Sequence, residues 1–213
     1  MAALASWRFS LFLYSYFPMT FQFMPTLVFA AVMICWFAFA GVFLLRKKPP
    51  SPPDQKREPG SLFGVALQGV SYGIVWGVHR ARFTPFVSSE VFAVAAGVIA
   101  VAAAAGSVFL VMAAVKTLGK EWSLTARLVE GHQLATSGPY AYVRHPIYTG
   151  MLGMLLATGL AFSHWAALLA ALVVFFVGTV IRVRSEERLL RGAFGEQFEQ
   201  YARSVPAILP GLY

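Results

Sequence analysis

Two polar stretches of this 213-residue chain hold the side chains that could do chemistry. The first, Glu130 to Gly150, contains His132, Tyr140, Tyr142, Arg144, His145 and Tyr148: two histidines, three tyrosines and an arginine within 17 residues. The second, Arg182 to Tyr201, opens with two oppositely charged pairs spaced four apart, Arg182 with Glu186 and Glu187 with Arg191. At that spacing the partners of each pair share a helix face. Imidazoles donate or accept hydrogen bonds, guanidinium groups only donate, and carboxylates only accept. Such a set binds a polar or charged ligand. It does not specify a reaction by itself, and no metal-ligand cluster, phosphate-binding glycine loop, dinucleotide fingerprint or nucleophile elbow accompanies it.

The elements that must position these groups are apolar. Hydrophobic residues make up 58% of the chain and charged residues only 12%, about half the charge of a soluble domain. Phe9 to Leu45, Pro59 to Val78 and Val91 to Val115 carry no charge, and Pro146 to Ile181 holds nothing ionisable except His164. A bilayer span needs roughly 20 apolar residues. The chain therefore reads as an all-α, polytopic membrane helical bundle with about five transmembrane helices and a C-terminal amphipathic helix. The spans are expected near Pro25–Leu45, Ser61–Val78, Glu90–Val115, Pro146–Ala161 and Trp165–Ile181. Phe162-Ser163-His164-Trp165 turns the last two into a hairpin. Trp7 to Phe23, broken by Pro18, is expected to lie in the interface or to lengthen the first helix with a kink.

Fourteen of the 17 Lys and Arg residues then fall on one side; Arg8, Arg80 and Arg82 occupy the other. The richer side is the cytoplasmic one. It holds the proline-rich loop Pro49 to Arg57, the segment Lys116 to His145 and the C-terminus. The hairpin brings both polar stretches together there. Residues 1–213 form one membrane domain, with N-terminal helices over 1–115 and a site-bearing half over 116–213 that includes the hairpin 146–181. Leu190, Phe194, Phe198 and Tyr201, spaced four, four and three apart, predict an amphipathic helix along the surface.

One cysteine, Cys35, excludes a disulfide framework and a cysteine-ligated metal. The net charge of +8 is explained by topology, and no basic stripe interleaved with aromatics points to nucleic acid. Arg8 alone at the N-terminus does not make a cleaved signal. The alanine-rich third span permits close packing within the chain or against a second copy, so the oligomeric state stays open. The alternative is a non-catalytic membrane protein, a channel, transporter subunit or scaffold; a transporter would be expected to show polar or broken helices near mid-bilayer, and here the polar groups cluster at the cytoplasmic ends.

His132-Gln133-Leu134, Gly138-Pro139-Tyr140, Arg144-His145-Pro146, Tyr148, Glu186-Glu187, Phe194-Gly195-Glu196, Tyr201 and Val205-Pro206, in this order and spacing, resemble the isoprenylcysteine carboxyl methyltransferase family and, more loosely, the phospholipid methyltransferases. The resemblance covers about the last 100 residues. It implies an integral membrane enzyme that uses S-adenosylmethionine, bound by the C-terminal half; the cytoplasmic membrane is the expected location. Carried over by position, His132, Gln133, Leu134 and Ala135 would contact the cofactor largely through backbone. Tyr140, His145, Pro146, Ile147, Tyr148 and Glu186 would complete its site, and Arg182 would be the catalytic residue that handles the acceptor. The acceptor would be hydrophobic or membrane-embedded: an isoprenylcysteine-like carboxylate, a small thiol or a phospholipid amine. A carboxylate or thiolate needs no general base in the transfer step, so none is assigned.

Overall fold

The computed structural model describes residues 23–45, 54–80, 90–124, 126–129, 131 and 133–209. Six helices account for most of them: α1 (Phe23–Leu44), α2 (Ser61–Gly77), α3 (Glu90–Leu118), α4 (Pro146–Phe162), α5 (Trp165–Phe194) and α6 (Glu196–Ser204). The expected interfacial segment that begins at Trp7, with Arg8 in it, lies outside the described residues except for its last residue, Phe23. Arg46, Lys47, Lys48 and Arg82 from the charge count lie outside them too.

Local sequence sets the boundaries. Pro146 occupies the first turn of α4, where its missing N–H costs nothing. The α4–α5 turn closes at His164, whose side chain accepts from the Ala166 N–H at 3.3 Å. α1, α3 and α5 are long and apolar enough to cross a membrane, whereas α2 and α4 have 17 residues each. At 1.5 Å per residue those two reach roughly 25 Å, a little less than the hydrocarbon thickness. Large apolar side chains point outward along the bundle, among them Phe37 at 74% exposure, Val91 at 77% and Phe109 at 69%. Lipid is the solvent in which such a surface is stable. The protein is an integral membrane protein.

α1, α3 and α4 pack around Val32, Ala100, Ala104, Val111, Met154 and Ala157. A second cluster joins α2, α4 and α5 through Val75, Leu155, Ala171 and Phe175. α2 crosses α5 where two glycines meet: a Cβ on Gly178 would lie 2.8 Å from the Gly64 carbonyl oxygen, so neither position admits a larger residue without parting the helices.

Two features depart from the expected architecture. The chain is not purely helical: β1 (Asp54–Arg57) pairs antiparallel with β2 (Arg127–Val129), with an irregularity between Asp54 and Lys56. The end of the expected proline-rich loop is thus tied to the polar segment that precedes the hairpin. The surface helix is also not continuous. α5 runs unbroken from the bilayer through Phe194, and the chain turns at Gly195, which has φ +50°, before α6. Leu190 and Phe194 therefore lie on α5 while Phe198 and Tyr201 lie on α6. Gly195 has no Cβ to oppose the left-handed conformation, and a helix ends there.

Candidate active site

The antiparallel hairpin places the first turn of α4 against the polar end of α5. His145 stands between the two acids of α5: its Nδ1 is 3.3 Å from Glu186 Oε2 and its Nε2 is 3.2 Å from Glu187 Oε1. The Tyr148 hydroxyl donates to Glu186 Oε1, and the His145 and Tyr148 rings lie nearly parallel, 5.5 Å apart. Glu187 also receives Arg144 Nε at 3.0 Å and Arg191 at 3.2 Å. Burial pulls the His145 imidazole toward its neutral form, but the hydrogen bonds and charges of Glu186 and Glu187 outweigh that, and its pKa is raised.

Arg182 is buried at 4% exposure. Its Nη2 donates to the Leu124 carbonyl at 2.6 Å and lies 3.5 Å from Glu186 Oε1, its Nη1 donates to Gln68 Oε1 at 3.4 Å, and its guanidinium sits 4.9 Å from the Tyr148 ring centre. Cation–π contact and a carboxylate on one guanidinium hold a buried charge that would otherwise be costly.

The segment after α6 fastens the loop before α4. Arg144 N–H donates to the Pro206 carbonyl at 2.8 Å and His145 N–H to Ala207 at 2.9 Å, while Thr149 Oγ1 donates to Ile208 at 2.6 Å. The Arg144 guanidinium donates to the carbonyls of Ala202 and Val205, orphan acceptors at the end of α6. The Tyr201 hydroxyl donates to the Tyr140 carbonyl at 2.6 Å. Burial, opposed by Arg144 and reinforced by Glu187, pushes the Tyr201 hydroxyl up to about 12; burial, with Glu186 and Tyr201, raises Tyr140 further. Both hydroxyls are neutral at physiological pH.

Several of these groups border one cavity of about 480 Å³, within the usual range for small-molecule sites. Of the residues singled out in the sequence, Leu134, Ala135, Tyr140, His145, Ile147, Tyr148, Arg182 and Glu186 line it. Gln133 and Pro146 do not: Gln133 is exposed and its N–H donates to Glu121 at 2.9 Å, and Pro146 is fully buried in the first turn of α4. His132 lies outside the described residues. Six contributors from the first half went unnoticed: Phe39 and Phe43 on α1, and Val65, Gln68, Gly69 and Tyr72 on α2. Gln68 carried a signal, because a polar side chain inside an apolar span is a functional candidate. The aromatics of α1 carried none among so many others.

The donor set fits a ligand that combines a cation, an amino acid and a nucleoside. Glu186 presents a carboxylate whose side chain is 25% exposed. Tyr140 and Tyr148 line the cavity wall. Leu134 and Ala135 line it too, and their backbone groups make no hydrogen bond among the described residues. Phe39, Phe43, Val65 and Met151 make another wall apolar.

Residues 95–197 match the model of the phospholipid methyltransferase family. The chain is 37% identical over 79 residues to a protein-S-isoprenylcysteine O-methyltransferase of Schizosaccharomyces pombe, covering 37% of this chain and 34% of that protein. Over part of its length the chain is thus similar to protein-S-isoprenylcysteine O-methyltransferases. Protein-S-isoprenylcysteine O-methyltransferase B of Arabidopsis thaliana is 32% identical over 99 residues, 46% of this chain and 50% of the relative. The cobalt-zinc-cadmium resistance protein CzcN of Cupriavidus metallidurans is 35% identical over 99 residues, 45% of this chain and 44% of the relative. The chain thus spans half or less of the length of these relatives. The matched region contains Tyr140, His145, Tyr148, Arg182 and Glu186 and leaves out α1, α2 and the segment after α6.

Proposed function

We propose that this protein is an integral membrane methyltransferase that moves a methyl group from S-adenosylmethionine to a hydrophobic acceptor entering from the bilayer. One observation carries the reading: Tyr140, His145, Tyr148, Arg182 and Glu186, drawn from two sequence-distant stretches, border the same cavity, and an apolar wall completes it. In this reading α1 to α5 alternate across the membrane, and the excess of Lys and Arg on one side supports a cytoplasmic cavity and C-terminus.

S-adenosylmethionine would supply a methyl group already activated on a sulfonium. Glu186 would hold its cationic or hydroxyl groups, the backbone of Leu134 and Ala135 its polar edges, and Tyr140 and Tyr148 its remaining face. The chain's own contribution is alignment and exclusion of water. His145 and Tyr148 fix the Glu186 carboxylate from both oxygens, so it does not swing when a ligand arrives. Arg182, held over Tyr148, would orient the acceptor, and a carboxylate suits a guanidinium best. Phe39, Phe43 and Met151 would receive the hydrocarbon part. A carboxylate has a free lone pair at neutral pH, so no base is required.

A panel of acceptors tests the reading: S-farnesylcysteine for a carboxylate, dodecanethiol for a thiol and phosphatidylethanolamine vesicles for an amine. Methyl transfer to S-farnesylcysteine at a rate flat in pH above the carboxyl range is expected. A rate that climbs with pH toward the amine range would move the assignment to the lipid amine, which must lose a proton first.

A further inference from the structure

The buried face of α2 is Ser61, Gly64, Gln68, Ser71 and Val75, a spacing of three, four, three and four that is one helical stripe. Four of the five are small or polar, in a helix otherwise apolar. This stripe packs on α5 at Arg182. A Cβ on Gly64 would fall 2.5 Å from Arg182 Cγ and 2.7 Å from the Gly178 carbonyl oxygen, so the stem of Arg182 lies directly on the Gly64 backbone. One turn further along α2, Gln68 is 1% exposed. Its Nε2 donates to Thr179 Oγ1 at 2.9 Å and its Oε1 accepts from Arg182 Nη1 at 3.4 Å. Gln68 thus spans two residues three apart on the same face of α5.

We propose that Gln68 is a positioning residue for Arg182, and that α2 is thereby part of the acceptor end of the active site although it lies outside the region matched by the methyltransferase family. The inference rests on the methyltransferase reading for its catalytic consequence and on the hydrogen bonds alone for its structural one. Arg182 has five N–H donors. Leu124 and Glu186 engage Nη2 from the cytoplasmic side, and Nε is enclosed without a partner among the described residues. Gln68 is the group that engages Nη1. Without that acceptor the planar guanidinium is held along one edge and is free to tilt off the Tyr148 face. Thr179 keeps the amide from rotating: with Nε2 committed to its hydroxyl, Oε1 must face Arg182. The Gly64–Gly178 contact sets the distance over which all three meet. A Gln at this place therefore acts on the acceptor through Arg182 and not on the cofactor through Glu186.

The test uses the full chain in detergent as wild type, Gln68→Leu, Gln68→Glu, Arg182→Lys and the Gln68→Leu/Arg182→Lys double variant. Calorimetry with S-adenosylhomocysteine checks that each still has its cofactor site. Gln68→Leu is expected to bind it within about twofold of wild type, while the KM for S-farnesylcysteine rises roughly tenfold, the scale of one hydrogen bond, with a smaller change in kcat. Gln68→Glu, which keeps the oxygen facing Nη1, is expected to restore most of that KM. In the Arg182→Lys background Gln68→Leu should add less than about twofold, because residues that act through one another are not additive. The Nε–H resonance of Arg182, assigned by its loss in Arg182→Lys, should shift in Gln68→Leu and return in Gln68→Glu. An unmoved resonance, or a full-sized KM effect of Gln68→Leu without Arg182, overturns the proposal. Failure of the wild type to bind S-adenosylhomocysteine, or to methylate S-farnesylcysteine, counts against the reaction or the acceptor; the Arg182 resonance then decides the positioning role by itself.

Discussion

His145 Nδ1 lies 3.3 Å from Glu186 Oε2 while the opposite ring nitrogen lies 3.2 Å from Glu187 Oε1. Two consecutive residues of a helix diverge by about 100°, so one imidazole inserted between them fixes both carboxylates and the rotation of α5 beneath α4. The ring has a hydrogen on each nitrogen only when protonated. The arrangement therefore asks for the charged form in a buried place.

This sets a pH dependence. The folded-state pKa of His145 is raised above its ordinary value. Its contribution is then fully present below the unfolded pKa of about 6.5 and is lost as pH rises through the higher folded value. Thermal stability should fall on going from pH 6 toward alkaline pH, and S-adenosylhomocysteine should bind less tightly along the same curve. In His145→Gln, one donor remains and cannot titrate, so melting temperature against pH should flatten across that window. A wild-type profile that matches the variant would contradict a titration of His145 in that window.

Glu187 stabilises more than it binds. It gathers Arg144, His145 and Arg191 and does not line the cavity. Removing one partner of a buried ionic cluster costs about 3–5 kcal/mol, so both Glu187→Ala and Glu186→Ala should lower the melting temperature, while Glu186→Ala should weaken S-adenosylhomocysteine binding the more. Equal losses of affinity in the two variants would contradict this division of labour.

The α2–α5 crossing tolerates no bulk. A Cβ at Gly178 would meet the Gly64 carbonyl and Leu67 Cβ at 2.8 and 2.9 Å. Overpacking of that kind costs about 1–3 kcal/mol. Gly178→Val is expected to lower thermal stability by that order and to loosen Arg182 with it, read as a weakened response to S-farnesylcysteine. Gly73→Ala on α2, with nothing within 4 Å of the added Cβ, should do neither.

Much of this arrangement was legible in the sequence, for physical reasons. Uncharged runs located the starts of the five apolar helices, and the ends of all but α5, to within a few residues because a bilayer disfavours charge there, and Phe162-Ser163-His164-Trp165 marked the hairpin. The pairs Arg182–Glu186 and Glu187–Arg191 followed from helical spacing and are present at 3.5 and 3.2 Å. The β1–β2 pairing was hidden because Asp54–Arg57 is a short charged stretch without an alternating apolar pattern, paired to a segment some 70 residues away. The Gly195 break was missed because the apolar spacing from Leu190 to Tyr201 fits one helix as well as two. Gln133 and Pro146 entered by resemblance, and their neighbours in the chain, not they, reach the cavity. Gln68 was legible as a single polar amide within an apolar span and was passed over because charge alone was used to mark that run.

The segment after α6 gives a fourth prediction. Its carbonyls accept the N–H groups of Arg144 and His145, so truncation after Ser204 should leave the helices inserted but release the start of α4. Loss of S-adenosylhomocysteine binding with retained helical circular dichroism is the expected outcome; unaltered affinity would show that the loop holds itself.

The central claim, that the cavity at Glu186 takes the methyl donor, is tested most directly by titrating S-adenosylhomocysteine into the purified wild type and Glu186→Ala. A carboxylate pairing with a cationic group is worth roughly 1.5–3 kcal/mol, so micromolar binding by the wild type should weaken by about tenfold or more in the variant while both remain monodisperse. A folded wild type that gives no heat, or a variant that binds as well as the wild type, would contradict the account.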